Sequence, residues 1–149
     1  MVCNFIYLLS LVCWIGSIIF FSFIVAPIIF KTLDRKKAGE VVGEIFPLYY
    51  KLGYICGALI LFSFLVSKAG AGQLKWYAWS NMIFASGFAG LVINPKAKKV
   101  KEKIKKDVLE KEKPILEARF KSLHSLSVKL NALVLLAGLW LLVSTTSTK

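Results

Sequence analysis

The single histidine of the chain, His124, is followed by Ser127 and Asn131, which share one face of a helix with it. Imidazole is the side chain whose ordinary titration lies nearest neutral pH, so this face could handle a proton. Polar side chains in an otherwise apolar helix are expected to meet another helix or a polar pocket, because exposing them to lipid is costly. Hydrogen bonding that only fixes helix packing is the alternative to a functional site.

A second group of polar residues lies at the start of the second apolar stretch of the chain, and it could meet this face. A cluster of Glu44, His124 and Lys129 would be able to move a proton or bind a small anion. The alternative is that Glu40 and Glu44 are solvated on an interfacial helix. The predicted polar pocket consists of Glu44, Tyr49, Tyr50, Lys51, His124, Ser127 and Asn131.

Metal, redox and hydrolytic chemistry find little support. Cys3, Cys13 and Cys56 form no CxxC pair, and cysteines in apolar stretches normally behave as small apolar side chains. One histidine cannot supply both axial ligands of a b-type haem in a monomer, although a symmetric dimer could supply two. The sequence contains no glycine-rich phosphate loop and no Ser-His-Asp arrangement. We therefore expect no cofactor, no bound metal and no enzymatic activity, with a haem or metal redox protein as a less favoured alternative.

Transmembrane helices are the elements that must position these residues. The chain has 149 residues, of which 57% are hydrophobic and 19% charged, and its mean hydropathy is +0.67. A bilayer core about 30 Å thick is crossed by about 20 apolar helical residues. Continuous apolar runs argue against β-barrel strands, whose polarity alternates. We predict a single transmembrane domain over residues 1–149, an all-α integral membrane four-helix bundle with spans at 4–30, 48–67, 76–95 and 124–145.

Prolines mark expected breaks in these helices. Pro47 can occupy the first helical position of the second span, where a missing amide hydrogen costs nothing. Pro27 lies inside the first span and should bend or end it. Asn94 and Pro95 mark the far end of the third apolar stretch.

The segment between the third and fourth spans, residues 96–121, predicts a cytoplasmic amphipathic helical hairpin. Pro114 begins its second helical piece, which continues into the fourth span. Apolar residues recur at helical spacing through the segment: Ala97, Val100, Ile104, Val108 and Ile115.

Basic residues set the expected orientation. Four of them lie in the first loop, 31–37, and eleven in 96–121, whereas the loop between spans two and three has only Lys68 and Lys75. Basic loops stay in the cytoplasm, so loops one and three should be cytoplasmic and both termini outside. No basic leader or cleavage site precedes Lys31, so we expect the first span in the mature protein. The chain looks bacterial, which would place it in the inner membrane.

The net charge of +12 is explained by this arrangement. No base-reading motif accompanies it, so we expect no nucleic-acid partner. Anionic lipid headgroups should lie against the basic loops. The hairpin is either a solvated extension that sets topology or a surface that holds an acidic partner or lipid.

Small residues in the spans permit close helix packing. Gly53 and Gly57 form a GxxxG pair, and Ser86 and Gly90 have the same spacing. Tight internal packing is the expected role, and a homodimer face or a path for a substrate is the alternative.

Several short motifs occur in an order that resembles one family. They are Trp14-x-Gly16, Phe21, Pro27-x-x-Phe30, Ala38-Gly39, Phe46-Pro47-x-Tyr49-Tyr50, Asn94-Pro95 and Phe120-x-x-Leu123-His124-x-x-Ser127-x-x-x-Asn131. Over nearly the whole chain the pattern resembles the transmembrane protein 205-like family, although Ser125 stands where that family often has glycine. The resemblance implies a four-span membrane protein of unknown function, with eukaryotic relatives linked to platinum-drug resistance through transport or trafficking, and implies no catalytic residues.

We therefore expect a small transporter or membrane binding protein with a polar pocket on the cytoplasmic side, either monomeric or a homodimer. The alternative is a non-enzymatic accessory or scaffold subunit that uses the Lys-rich hairpin to hold a membrane-protein partner.

Overall fold

A computed structural model describes residues 2–66, 72–105 and 112–146 of the chain, and every element in these ranges is helical. The prediction of an all-α protein is confirmed. Helix α1 consists of Val2–Phe20, a π-helical segment Phe21–Val25 and Ala26–Thr32. Helix α2 is Arg35–Val66. Helix α3 consists of Gln73–Gly87, a π-helical segment Phe88–Ile93 and Asn94–Lys105, and helix α4 is Lys113–Thr146.

Three of these helices, α1, α2 and α4, are long and apolar enough to cross a membrane. The predicted third span, 76–95, lies in α3. Among the described residues, α3 is not one of the helices that are long and apolar enough to cross a membrane. Tryptophan, tyrosine, serine, glycine and Asn81 dilute its apolar character. The structure therefore supports a membrane-embedded helical protein with three candidate spans, and the fourth span stays a prediction.

The core lies where α1 packs against α2 and α4 and where α3 packs against α2 and α4. Its largest fully buried side chains are Leu11, Ile18, Ile60, Met82, Val134 and Leu141. Large apolar side chains also cover the outer surface, with Phe23 and Leu65 each 69% exposed. Such a surface is unfavourable in water and suits contact with lipid.

The predicted GxxxG pair faces the inside of the bundle. A Cβ atom added at Gly53 would lie 2.9 Å from the Trp14 indole nitrogen, and one at Gly57 would overlap the end of Ile83. The Trp79 indole N–H donates to the Gly57 carbonyl at 3.0 Å. These glycines let α1 and α3 approach α2 closely, so this pair serves internal packing.

Pro27, Pro47 and Pro95 lie in helices that continue past them. The prediction for Pro47 is wrong, because α2 begins at Arg35 and runs through Pro47 without a break. Pro27 follows the π-helical segment Phe21–Val25, after which α1 continues to Thr32. A proline ring clashes with the carbonyl four residues earlier, and a widened π turn there relieves the clash. Pro95 follows the π-helical segment of α3 in the same way.

The described part of the predicted hairpin consists of Asn94–Lys105 packed against α4, which begins at Lys113 with Pro114 as its second residue. Residues 106–111, with Val108, lie outside the described residues. Val100 is buried and Ala97 and Ile104 are half-buried, as the apolar pattern predicts. Ile115 is 69% exposed, so its inclusion in that face is wrong. It belongs to a separate helix, whose rotation the first helix does not determine.

Candidate functional site

The π-helical segment of α1 and Pro47 of α2 lie close to two tyrosines, Tyr49 and Tyr50. The Phe21 ring, in the π-helical segment of α1, lies 5.5 Å from the rings of both Phe46 and Tyr49, centroid to centroid. Tyr49 and Tyr50 are edge to face at 5.2 Å. The α1 irregularity and Pro47 therefore lie at one level of the bundle.

The π-helical segment of α3 reaches the same level from the other side. A Cβ atom added at Gly90 would lie 2.8 Å from Cγ of Tyr50 and would overlap the Tyr54 hydroxyl. Glycine is needed here because the α3 backbone approaches the two tyrosine rings so closely. Single π turns within α-helices occur frequently at functional sites. Here one π-helical segment contacts Tyr49 and the other contacts Tyr50.

Tyr50 connects α2 to α4 through its hydroxyl. Its oxygen lies 3.0 Å from Oγ of Ser127, and both residues are buried. The Asn131 side chain lies near the same hydroxyl. The structure thus brings together Tyr50, Ser127 and Asn131, three members of the predicted pocket.

Within the described residues, the remaining members of the predicted pocket make no hydrogen bond to this group. Tyr49 is half-buried among aromatic rings, and Glu44 and Lys51 are exposed. His124 is exposed and stacks on Phe120, with ring centroids 6.3 Å apart and planes 10° from parallel. Within the ranges that the structure describes, no hydrogen bond or ion pair joins His124 to Glu44.

An open groove of about 340 Å³ lies between α2 and α3, directly beside the Tyr50 ring. Besides Tyr50, two glycines line it, Gly43 and Gly90. Its other lining residues are Pro47, Tyr54, Leu91, Asn94, Pro95 and Lys98.

Both prolines of the groove remove one backbone hydrogen-bond donor from their helix. A proline has no amide hydrogen, so Pro47 cannot donate to the carbonyl of Gly43, and Pro95 cannot donate to that of Leu91. Gly43 and Leu91 both line the groove. Two residues whose carbonyls lack a donor from the proline four positions later therefore line the groove.

The side chains of the groove add donors and one positive charge. Lys98 supplies an ammonium group and Asn94 an amide. The Tyr54 hydroxyl donates to the Ser86 carbonyl at 3.3 Å, which leaves its oxygen able to accept. Leu91 and the proline rings are apolar. The combination suits a ligand with an anionic or hydrogen-bonding head and an apolar body.

A separate polar contact fastens the end of α3 to the start of α2. The Lys105 ammonium forms an ion pair with Glu40, and the end of the Lys101 side chain packs over Gly39. The hydrogen bond and charge of Lys105 hold the pKa of Glu40 below its ordinary value. Burial lowers the pKa of Lys101. Both groups lie outside the predicted spans 48–67 and 76–95.

The groove is not predicted from the sequence, although Pro47, Asn94 and Pro95 are prominent there. Pro47 is predicted at a helix start and Asn94-Pro95 at the end of an apolar stretch, whereas both lie within continuous helices. Two prolines near the polar ends of neighbouring apolar stretches could have indicated freed carbonyls at one level. Among the described residues, no group of three or more His, Cys, Asp or Glu side chains could hold a metal ion.

Comparison with known proteins gives a family and one relative. Residues 9–106 match a family model described as "Domain of unknown function (DUF4149)". The chain is 51% identical over 55 residues to a protein of Aquifex aeolicus (strain VF5) named "Uncharacterized protein", an alignment that covers 37% of this chain and 40% of that relative. No solved structure matches the chain. Neither match names the transmembrane protein 205-like family, so that resemblance stays a prediction.

Proposed function

The chain belongs to the DUF4149 family of domains of unknown function, and we propose that it is a four-span integral membrane protein that binds an anionic amphiphile between α2 and α3. The observation that carries this proposal is the groove of about 340 Å³, which falls within the range of small-ligand sites, about 300–1,000 Å³. Polar groups lie on its walls, and lipid-facing apolar residues border it. We propose binding without catalysis, because the described lining of the groove places no nucleophile beside a base.

The fourth span is supported by the packing of α3. Its residues 76–95 carry no charge, and the helix contacts both α2 and α4. Trp76 and Trp79 lie near one end, as expected of aromatic side chains at a membrane interface. Because the basic segments 31–37 and 96–121 flank the other ends of the spans, we place them in the cytoplasm and the protein in a bacterial inner membrane.

In this orientation the groove lies at the cytoplasmic interface. Lys98 belongs to the basic end of α3, whereas Leu91 lies one to two turns deeper and is 70% exposed. A headgroup phosphate or carboxylate beside Lys98 and Asn94 would gain charge-assisted hydrogen bonds. The attached chain would extend over Leu91 toward the bilayer, and the freed carbonyls would accept hydrogen bonds from headgroup hydroxyl or amino groups.

Transport of the bound molecule is the stronger form of the proposal. Interrupted helices at membrane depth expose backbone groups only where protein or a cavity covers them, and they recur at transporter binding sites. Two π-helical segments interrupt the regular geometry of α1 and α3, and α2 contains Pro47. Flux of a labelled anionic lipid between leaflets of reconstituted vesicles distinguishes transport from binding alone.

The binding test uses two adjacent lysines. Lys98 and Lys99 are both exposed, but only Lys98 contributes to the described lining of the groove. Protein purified in mild detergent is titrated with phosphatidylglycerol and with phosphatidylcholine, and retained lipid is counted by native mass spectrometry. One basic residue near an anionic headgroup is worth about 1 kcal/mol, or about fivefold in affinity.

We expect Lys98→Gln to weaken phosphatidylglycerol retention about fivefold and Lys99→Gln to change it less than twofold. Phosphatidylcholine should be retained poorly by all three proteins. Equal losses in the two variants would show diffuse attraction to the basic helix and would reject the groove as the site.

An accessory role for the basic helix is a second proposal. Val100 faces inward, whereas Lys96, Lys99 and Lys103 are exposed on the outer side of Asn94–Lys105 and free to meet an acidic partner surface. Gentle purification followed by mass measurement should then yield a stoichiometric partner. Replacing these three lysines with glutamate should release it, and a preparation without a partner would count against this role.

A further inference from the structure

The outward face of α3 carries a regular seam of large side chains. The residues of the seam alternate at spacings of three and four: Leu74, Tyr77, Asn81, Phe84 and Phe88. Tyr77 is 67% exposed and Phe84 is 72% exposed. Alternation of three and four residues is the pattern by which two helices pack side by side in a coiled coil.

Asn81 is the polar member of this seam, and it is exposed. One of its amide hydrogens is donated to the Tyr77 carbonyl at 3.3 Å. Among the described residues this is its only hydrogen bond, so a second N–H and the side-chain oxygen remain available. Within the proposed span 76–95, Asn81 lies about one turn deeper than Tyr77. A polar amide facing acyl chains is costly, so such residues normally meet another helix.

The Asn81 side chain carries both a donor and an acceptor, so it can pair with the same side chain of a second copy of the protein. Around a two-fold axis each Asn81 can donate to the oxygen of the same residue in a second copy. Two copies in one membrane have the same orientation, so their α3 helices would be parallel. A single asparagine within an apolar seam fixes register and oligomeric state in parallel coiled coils.

The surroundings of the seam allow a close approach. Ser80 and Gly87 flank it seven residues apart, and a Cβ atom added at Gly87 meets nothing within 4 Å. The Phe84 and Phe88 rings are stacked with centroids 6.3 Å apart and planes 9° from parallel, which gives this part of the face a flat apolar surface. Small residues beside large ones are typical of helix contacts in membranes.

We propose that a second copy of this chain packs against α3 along this seam, forming a parallel two-fold dimer in which the two Asn81 amides pair. The proposal rests on the four-span topology proposed above, because only a membrane-crossing α3 places Asn81 among acyl chains. It is independent of whether the groove binds lipid.

Cysteine cross-linking tests the contact in membranes. In a background with Cys3→Ser, Cys13→Ser and Cys56→Ala, Phe84→Cys is compared with Phe62→Cys, which places a thiol on the exposed face of α2. We expect oxidation to cross-link Phe84→Cys at least about tenfold faster than Phe62→Cys. Equal rates, or faster cross-linking at position 62, would overturn the proposed interface.

The same Phe84→Cys protein also tests the topology separately. If α3 crosses the membrane, a membrane-impermeant maleimide should fail to label this thiol from either side of intact vesicles. Labelling would refute the four-span premise and the dimer with it. An unlabelled thiol that fails to cross-link would refute the dimer and leave the topology intact.

The role of the amide is measured by dimer dissociation in detergent. Hydrogen bonds between membrane helices contribute about 0.6–2 kcal/mol, so Asn81→Leu should weaken the dimer about 3- to 30-fold. Asn81→Gln keeps the amide and should retain more of the affinity. A dimer equally stable in wild type and Asn81→Leu would refute the pairing of the amides.

Discussion

The Tyr50 hydroxyl on α2 lies 3.0 Å from Oγ of Ser127 on α4, and the ring of the same tyrosine forms a wall of the groove. The two residues are 77 positions apart in the chain. Tyr50 is 3% exposed. Its hydroxyl contacts a neighbouring helix, and the residue also lines the groove. This hydrogen bond fixes the position of the wall relative to α4.

Tyr50→Phe should therefore destabilise the protein by about 0.5–2 kcal/mol, because it leaves the buried Ser127 hydroxyl without this partner. Ser127→Ala should cost a similar amount. If the hydrogen bond is the shared cause, the double variant should cost clearly less than the sum of the single variants. Thermal unfolding of the four proteins in one detergent measures the coupling, and additive losses would contradict it.

Close packing at Gly90 gives a second prediction. A methyl group there would overlap the Tyr54 hydroxyl and lie 2.8 Å from Cγ of Tyr50, so Gly90→Ala should destabilise the protein by about 1–3 kcal/mol. Gly16 is the control, because a Cβ atom at that exposed helical position meets nothing within 4 Å. Gly16→Ala should be neutral or slightly stabilising in the same thermal unfolding measurement. Similar losses in both variants would show that the contact with the tyrosines is not the cause.

The ion pair between Glu40 and Lys105 predicts a pH dependence. The hydrogen bond and charge of Lys105 lower the pKa of Glu40 in the folded protein. A carboxyl group with a lowered folded pKa stabilises the protein above its unfolded pKa, and that contribution is lost as the pH falls through the folded pKa. Wild type should therefore melt at a higher temperature than Glu40→Gln at neutral pH.

This difference should shrink as the pH falls below about 4.3, the ordinary pKa of a glutamate. Because Glu40 is exposed, salt should also reduce it. Glu117→Gln is the control, since Glu117 is exposed and forms no ion pair within the described part of the chain. Melting temperatures from neutral pH to pH 3 would contradict the assignment if Glu40→Gln and Glu117→Gln behaved alike.

The helical class and the inward face of Asn94–Lys105 could be predicted because membranes and helical periodicity impose simple constraints. A long uncharged run must be a helix that satisfies its own backbone, and helical spacing correctly placed Ala97, Val100 and Ile104 inward. Spacing along one helix also places Ser127 and Asn131 on one face, from which Ser127 hydrogen-bonds Tyr50.

The groove could not be predicted in this way, because it depends on how α2 and α3 approach each other. In a soluble protein Pro47 would normally mark a helix boundary, but neighbouring helices in a membrane can compensate for a lost hydrogen bond. The position of His124 depended equally on the rotation of α4. A helical face predicted from spacing is compatible with either a pocket or an exposed surface, and the structure exposes this histidine.

Replacing Pro47 should change the stability of α2 and the proposed ligand binding in opposite directions. Replacing it with alanine restores an amide hydrogen that can donate to the Gly43 carbonyl, inside a helix that already runs through this position. A proline in a helix interior costs up to about 3 kcal/mol relative to alanine, so Pro47→Ala should raise the melting temperature. Pro114→Ala is the control, because Pro114 lies at the start of α4, where a missing amide hydrogen costs little.

The same substitution should weaken binding if the Gly43 carbonyl contacts the ligand. Restoring the helical hydrogen bond engages one of the two freed acceptors of the groove, so we expect phosphatidylglycerol retention to fall severalfold in Pro47→Ala and to stay unchanged in Pro114→Ala. Native mass spectrometry of the two variants measures this. A more stable Pro47→Ala protein with unchanged retention would remove the carbonyl from the site and leave Lys98 and Asn94 to hold the headgroup.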